Sequence, residues 1–101
     1  MLALVTILPM GKGGSLAKPI AEALEIIDQS GLDYRVTAMG TIIEGEWDPV
    51  MKLIKKVRDR MMKSSDRVYL TIAVDDRKDR RRRIEEKVRS VEHVLGKSLR
   101  K

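Results

Sequence analysis

Hydrophobic and polar residues alternate with two different periods along this chain, and the switch between them marks its elements. Leu2 to Met10 is apolar on both faces, the pattern of a central strand buried on each side. After the loop Gly11-Lys12-Gly13-Gly14-Ser15, a helix-period stripe of Leu16, Ile20, Ala23, Leu24 and Ile27 runs to Ser30, with Ser15 placed to cap its start and Gly31 to stop it. Tyr34 to Met39 reads as a second strand and Thr41 to Trp47 as a third, joined by a tight turn at Gly40-Thr41 where glycine supplies backbone freedom. Asp48-Pro49 carries a helix-start signature, and Val50, Leu53, Ile54, Val57 and Met61 form the stripe of a helix from Pro49 to about Lys63. Arg67 to Asp75 alternates strictly, with Val68, Leu70, Ile72 and Val74 on one face and Tyr69, Thr71 and Ala73 on the other. A third helix is predicted from about Asp79 to Leu95, with Ile84, Val88, Val91 and Leu95 spaced for burial and Gly96 as its stop.

The order β-α-β-β-α-β-α leaves few topologies once connections are short and crossovers right-handed. It predicts an α+β fold: a ferredoxin-like βαββαβ sandwich with a four-stranded antiparallel sheet, two helices on one face, and an additional C-terminal helix. Residues 1–101 form a single domain with no linker or internal sequence repeat. The other sheet face then meets water or a partner. It includes Tyr69, Thr71 and Ala73, with Ile42, Glu44 and Glu46 on the third strand. On the first strand, Leu4/Thr6/Leu8 and Val5/Ile7 are alternatives. Either choice exposes apolar surface that a monomer rarely leaves open, which points to an oligomer or a ligand at the subunit boundary.

Composition narrows the function classes. The chain is 43% hydrophobic and 36% charged, the balance of a soluble globular protein, and no apolar run approaches the roughly 20 residues of a membrane helix. Pro9 ends the first apolar run and no basic segment precedes it, so that run reads as a strand and not a signal peptide; a cytoplasmic location is expected. Without cysteine there are no disulfides, thiolate nucleophiles or zinc-thiolate sites. The single His93 has no cysteine or second histidine to share a metal with, and reads as a surface residue.

The net charge of +6 is concentrated at one end. Residues 77–101 carry eleven Lys/Arg against four Asp/Glu, while the first 76 carry ten against eleven. The run Arg80–Arg83 invites a nucleic-acid reading, and a ferredoxin-like sheet is also an RNA-recognition architecture. Against it, there is no Phe, and Tyr34, Tyr69 and Trp47 are the only aromatics. The arginines also have helical partners: Asp76–Arg80, Asp79–Arg83, Arg81–Glu85, Arg82–Glu86 and Glu85–Arg89, each pair worth ~0.2–0.5 kcal/mol. A solvated or subunit-bridging charged helix is the expected result.

Two features hold candidate chemistry. The Gly11–Ser15 loop runs from a strand into a helix and offers free amides to an anion, yet matches neither GxxxxGK[ST] nor GxGxxG. Glu44 and Glu46 lie two apart on the predicted third strand and so share a face, beside Trp47. Such a pair can move protons, bind a cation or hydrogen-bond an aminopyrimidine, or simply be solvated. No Ser/His/Asp set, metal-ligand cluster or cofactor motif accompanies them, so neither an enzyme nor a cofactor is expected.

The stretch Ser30-Gly31-Leu32-Asp33-Tyr34, followed by Met39-Gly40-Thr41-Ile42-Ile43-Glu44-Gly45-Glu46-Trp47, resembles the signature of the small thiamine-binding-protein-like family, related to the YkoF-like thiamine and hydroxymethylpyrimidine binders. Asp66-Arg67-Val68, Val74 to Asp79, and Lys87 to Glu92 resemble its C-terminal pattern, so the likeness spans nearly the whole chain. It implies a ferredoxin-like fold, homodimers pairing into homotetramers, and binding of thiamine or its pyrimidine moiety. The family's motif positions fall on Ser15, Met39, Gly40, Thr41, Glu44, Gly45, Glu46, Asp75 and Arg77. The ligand-binding residues expected from this are Thr41, Glu44, Glu46, Met39, Trp47 and Ser15: a carboxylate acceptor, a hydroxyl and an apolar wall. Pro19 departs from the pattern where an aromatic or small residue is expected, which bears on ligand identity if that position lines the pocket. The competing class is an oligomeric regulatory protein whose basic C-terminal helix contacts an acidic partner or nucleic acid.

Overall fold

The computed structural model describes residues 1–11, 16–78 and 84–101. Its elements are β1 (Leu2–Met10), α1 (Ala17–Gln29), β2 (Asp33–Thr37), β3 (Gly40–Glu44), α2 (Trp47–Met62), β4 (Arg67–Asp75) and α3 (Ile84–Leu95). The strands form one sheet in the order β2-β3-β1-β4 with every neighbouring pair antiparallel. This is the ferredoxin-like arrangement, with α1 and α2 packed on one face. Ser15 as a helix cap, the Gly11–Ser15 anion loop beyond Gly11, the start of the third helix at Asp79, and the ion pairs of Arg80 to Arg83 lie outside the described residues.

Register assigns the faces. Val5 pairs with Ile72 and Thr41, and Ala3 with Val74 and Ile43, so the odd residues of β1 face the helices. Leu4, Thr6 and Leu8 are therefore on the open face, beside Ile42, Tyr69, Thr71, Ala73 and Glu44. The core lies between Ala3, Val5 and Ile43 of the sheet, Ala23 and Ile27 of α1, and the full predicted stripe of α2. Ala3, Ile43 and Val50 are completely buried.

Two local boundaries differ from the pattern reading, each for a physical reason. The hairpin turn is Ala38-Met39 and not Gly40-Thr41, because Thr37 does the turn chemistry with its side chain. Its hydroxyl donates to Gly40 O at 2.7 Å and accepts from Met39 N–H at 3.2 Å. Gly40 is needed for a close approach instead: a Cβ there would stand 2.9 Å from both Val5 O and Thr6 Oγ1. The third strand then ends at Glu44, and α2 starts at Trp47 with Glu46, not Asp48, as the extended residue before it (φ −72°, ψ 158°). The first i→i−4 bond of α2 runs from Val50 N–H to Glu46 O at 3.1 Å. Pro49 thus precedes every backbone donor the helix uses and breaks nothing.

α3 is held at one end of the open face. Glu44 Oε1 accepts a 2.8 Å hydrogen bond from Ile84 N–H, Arg35 pairs with Glu85, and Lys87 reaches Asp75 at 2.7 Å. Within α3, Glu85–Arg89 pairs at 3.1 Å as the spacing predicts. No residue of this helix is buried; Val91 and Leu95 are about half exposed (51% and 52%). The chain is correspondingly elongated, with a radius of gyration of 15.2 Å against about 13 Å for a compact domain of this length. No helix among the described residues is long and apolar enough to cross a membrane.

Candidate functional site

A cavity of about 340 Å³ opens between the two sheet-covering helices and the tip of the β2–β3 hairpin. Ile20, Ala23, Leu24 and Ile27 supply the α1 wall, and Leu53, Ile54, Val57 and Met61 the α2 wall. Its base is β1 from Val5 to Leu8, and its rim is the hairpin from Val36 to Thr41. The space exists because a small residue, Ala23, occupies the buried face of α1 where a larger one would fill it. Volume and lining both match the general form of a small-molecule site, mostly apolar with a few placed polar groups.

Those polar groups are threonines. Thr41 is only 8% exposed and lines the cavity. Thr37 is committed to the turn, and Thr6 Oγ1 donates to Met39 O at 3.0 Å, tying the hairpin tip to β1. Met39 projects at the rim and is 81% exposed. No charged side chain of a described residue lines the space, and no group of three or more His, Asp or Glu is arranged for a metal among those residues.

The structure brings together two of the residues expected from the sequence, Thr41 and Met39, and separates Glu44, Glu46 and Trp47 from them, while Ser15 lies outside the described residues. Glu44 lies on the opposite face of the sheet, where its carboxylate holds the first turn of α3. Glu46 is off the strand altogether, because Gly45 turns the chain into α2, so the two acids do not share a strand face. Trp47 opens α2 and is half exposed. Pro19 lies in the first turn of α1 and does not line the cavity. The residues that pattern reading missed are Thr6, Thr37 and Ala23. A proline inside an otherwise central strand, Pro9, is a local sign that a flank of β1 lacks a paired strand among the described residues.

Comparisons with known proteins place this geometry. The sequence profile of the family described as "Thiamine-binding protein" matches residues 3–92. The UPF0045 protein MJ1052 of Methanocaldococcus jannaschii is 34% identical over 91 residues, 90% of this chain and 91% of the relative. A UPF0045 protein of Methanothermobacter thermautotrophicus is 36% identical over 94 residues, 90% of this chain and 95% of the relative. The crystal structure of the M. jannaschii protein superposes with a TM-score of 0.82, covering 89% of this chain and 93% of that one. A candidate thiamine biosynthesis or salvage protein from Thermotoga maritima, 28% identical, superposes with a TM-score of 0.78 over 89% of this chain and 96% of that one. With the profile spanning most of the chain and full-length relatives above 30% identity, this protein belongs to the thiamine-binding protein family.

Proposed function

We propose that the protein is a non-enzymatic small-molecule binder that takes a thiamine-type ligand by its hydroxymethylpyrimidine ring into the cavity between α1, α2 and the hairpin. The observation that carries this reading is an apolar cavity, open on one side, with the largely buried Thr41 on its wall. Support also comes from the family's description and from the T. maritima neighbour. Charge decides the orientation. An uncompensated cation in an apolar enclosure is strongly disfavoured, so the neutral pyrimidine enters and the thiazolium stays at the rim near Met39. The ligand's hydroxyl or amine then meets Thr41.

Calorimetry with hydroxymethylpyrimidine and with thiamine tests this. Wild type should bind both saturably. Ala23→Leu, which fills the cavity, should weaken binding at least tenfold, about 1.4 kcal/mol. Glu44→Gln discriminates between the two possible sites. It removes the carboxylate that the sequence motif marks as an acceptor, and should leave binding unchanged. Loss of binding in Glu44→Gln with retention in Ala23→Leu would return the site to the open face. Absence of binding by either ligand at about 1 mM, an affinity of only about −4 kcal/mol, would refute the reading.

A further inference from the structure

The two flanks of β1 are not equally paired. Met1 O accepts from Gly45 N–H at 3.1 Å beside β3, and Met10 O accepts from Ser65 Oγ at 3.3 Å beside β4. In an extended strand the N–H and C=O of one residue point to the same side, and successive residues alternate. The odd residues of β1 therefore direct their backbone groups toward β3 and the even residues toward β4. β4 accompanies β1 along all nine residues, whereas β3 pairs with it only from Leu2 to Val5. Beyond Val5 the next odd residue is Ile7. Its N–H and C=O face the place where the hairpin has already turned away, and among the described residues no backbone bond outside the regular ladders involves it. The following odd residue, Pro9, has no N–H to leave unpaired.

The cavity lies against this edge, with Thr6, Ile7 and Leu8 on one side and Thr37, Met39 and Gly40 across from them. A donor and an acceptor without a ladder partner on one short backbone segment, at the edge of an apolar cavity, create a demand for a partner that carries both. We propose that the Ile7 peptide edge is the polar recognition element of the cavity, and that it selects a planar heterocycle with a ring-nitrogen acceptor beside an amine donor. Ile7 N–H donates to the ring nitrogen, and the amine donates to Ile7 O. This rests on the cavity being the ligand site, and it supplies from the backbone the acceptor that a carboxylate would otherwise provide. The same edge chemistry is shared by aminopyrimidines and by adenine.

Two measurements test it. In the free protein, NMR amide exchange at Ile7 should be much faster than at Thr6 and Leu8, whose amides point to β4. Equal protection at all three overturns the proposal whatever binds. Titration then uses three probes: 4-amino-5-hydroxymethyl-2-methylpyrimidine, its counterpart lacking the 4-amine, and adenine. The amino form should bind roughly ten- to a hundredfold more tightly than the desamino form, with the Ile7 amide becoming protected. Equal binding of the two pyrimidines overturns the edge while leaving the cavity reading intact. Binding of adenine alone, with Ile7 protected, keeps the edge and discards the thiamine-type ligand. No binding by any probe overturns both.

Discussion

The helix α3 is docked on the sheet with none of its residues buried, which makes one substitution unusually informative. Glu44→Ala removes the acceptor of Ile84 N–H, a 2.8 Å hydrogen bond from a carboxylate to the first turn of a helix. A hydrogen bond to a charged group contributes about 1.5–3 kcal/mol, and a carboxylate near a helix N-terminus gains a further ~0.3–1 kcal/mol from the dipole. The other two ties, Arg35–Glu85 and Lys87–Asp75, join side chains that are about half exposed (52%/51% and 46%/43%). Screening limits each of those to about 0–1 kcal/mol. Glu44 is thus the largest of these three ties to α3, and its loss should shift the docking equilibrium roughly twenty- to a thousandfold toward the open form. Native-state hydrogen exchange reads this directly. Amides of α3 should lose protection by that factor in Glu44→Ala, while those of β1 and β3 remain as in wild type. Lys55→Ala, which breaks an exposed i,i+4 pair with Asp59 within α2, serves as the control that changes little. If α3 keeps its protection in Glu44→Ala, the helix is held by something other than this network, and the energetic ranking is wrong.

Other outcomes follow from the same geometry. Gly40→Ala forces a Cβ to within 2.9 Å of Val5 O, so the β1–β3 ladder must shift; a loss of about 1–3 kcal/mol is expected, and an unchanged urea midpoint would count against it. The Lys101 ammonium and then the Leu99 N–H, both hydrogen-bonded to Glu92, hold its carboxyl below the ordinary glutamate value. The folded-state pKa is depressed, so the C-terminal attachment is complete above the ordinary value and is lost as pH falls through the lowered one. The Leu99 amide resonance should titrate with a midpoint below about 4.3, and a midpoint at or above that refutes the assignment. Finally, the uncovered stripe of α3 and the apolar open face predict a homodimer pairing into a homotetramer; light scattering at micromolar concentration showing a monomer would exclude it.

What could be read in advance was whatever has a period. Nine-residue alternation in β4 and the Val50-Leu53-Ile54-Val57-Met61 stripe identify their elements because burial on one face imposes the spacing. Element order then leaves the ferredoxin-like topology. The turn was misplaced by two residues because its chemistry resides in the Thr37 side chain, which composition alone does not distinguish from a strand threonine. Extending alternation through Gly45 carried Glu46 onto a strand that stops at Glu44, and so paired two carboxylates that the fold sets apart. The cavity had no signature of its own. It depends on Ala23 being small and on β3 stopping opposite Val5, and both are relations between distant segments.

The unequal strand lengths make hairpin length a design variable for this fold. Thr6 to Met10 is about 16 Å of β1 with no paired strand on one flank among the described residues. One additional pleat on each arm of the hairpin would let β3 zip onward past Ile7, and the new side chains would plug the inlet from above. A chain so altered would gain ladder bonds and lose its cavity together. Stability and reception of a ligand are set in opposition by the same few residues at the hairpin tip, so relatives with longer hairpins should be sturdier and closed.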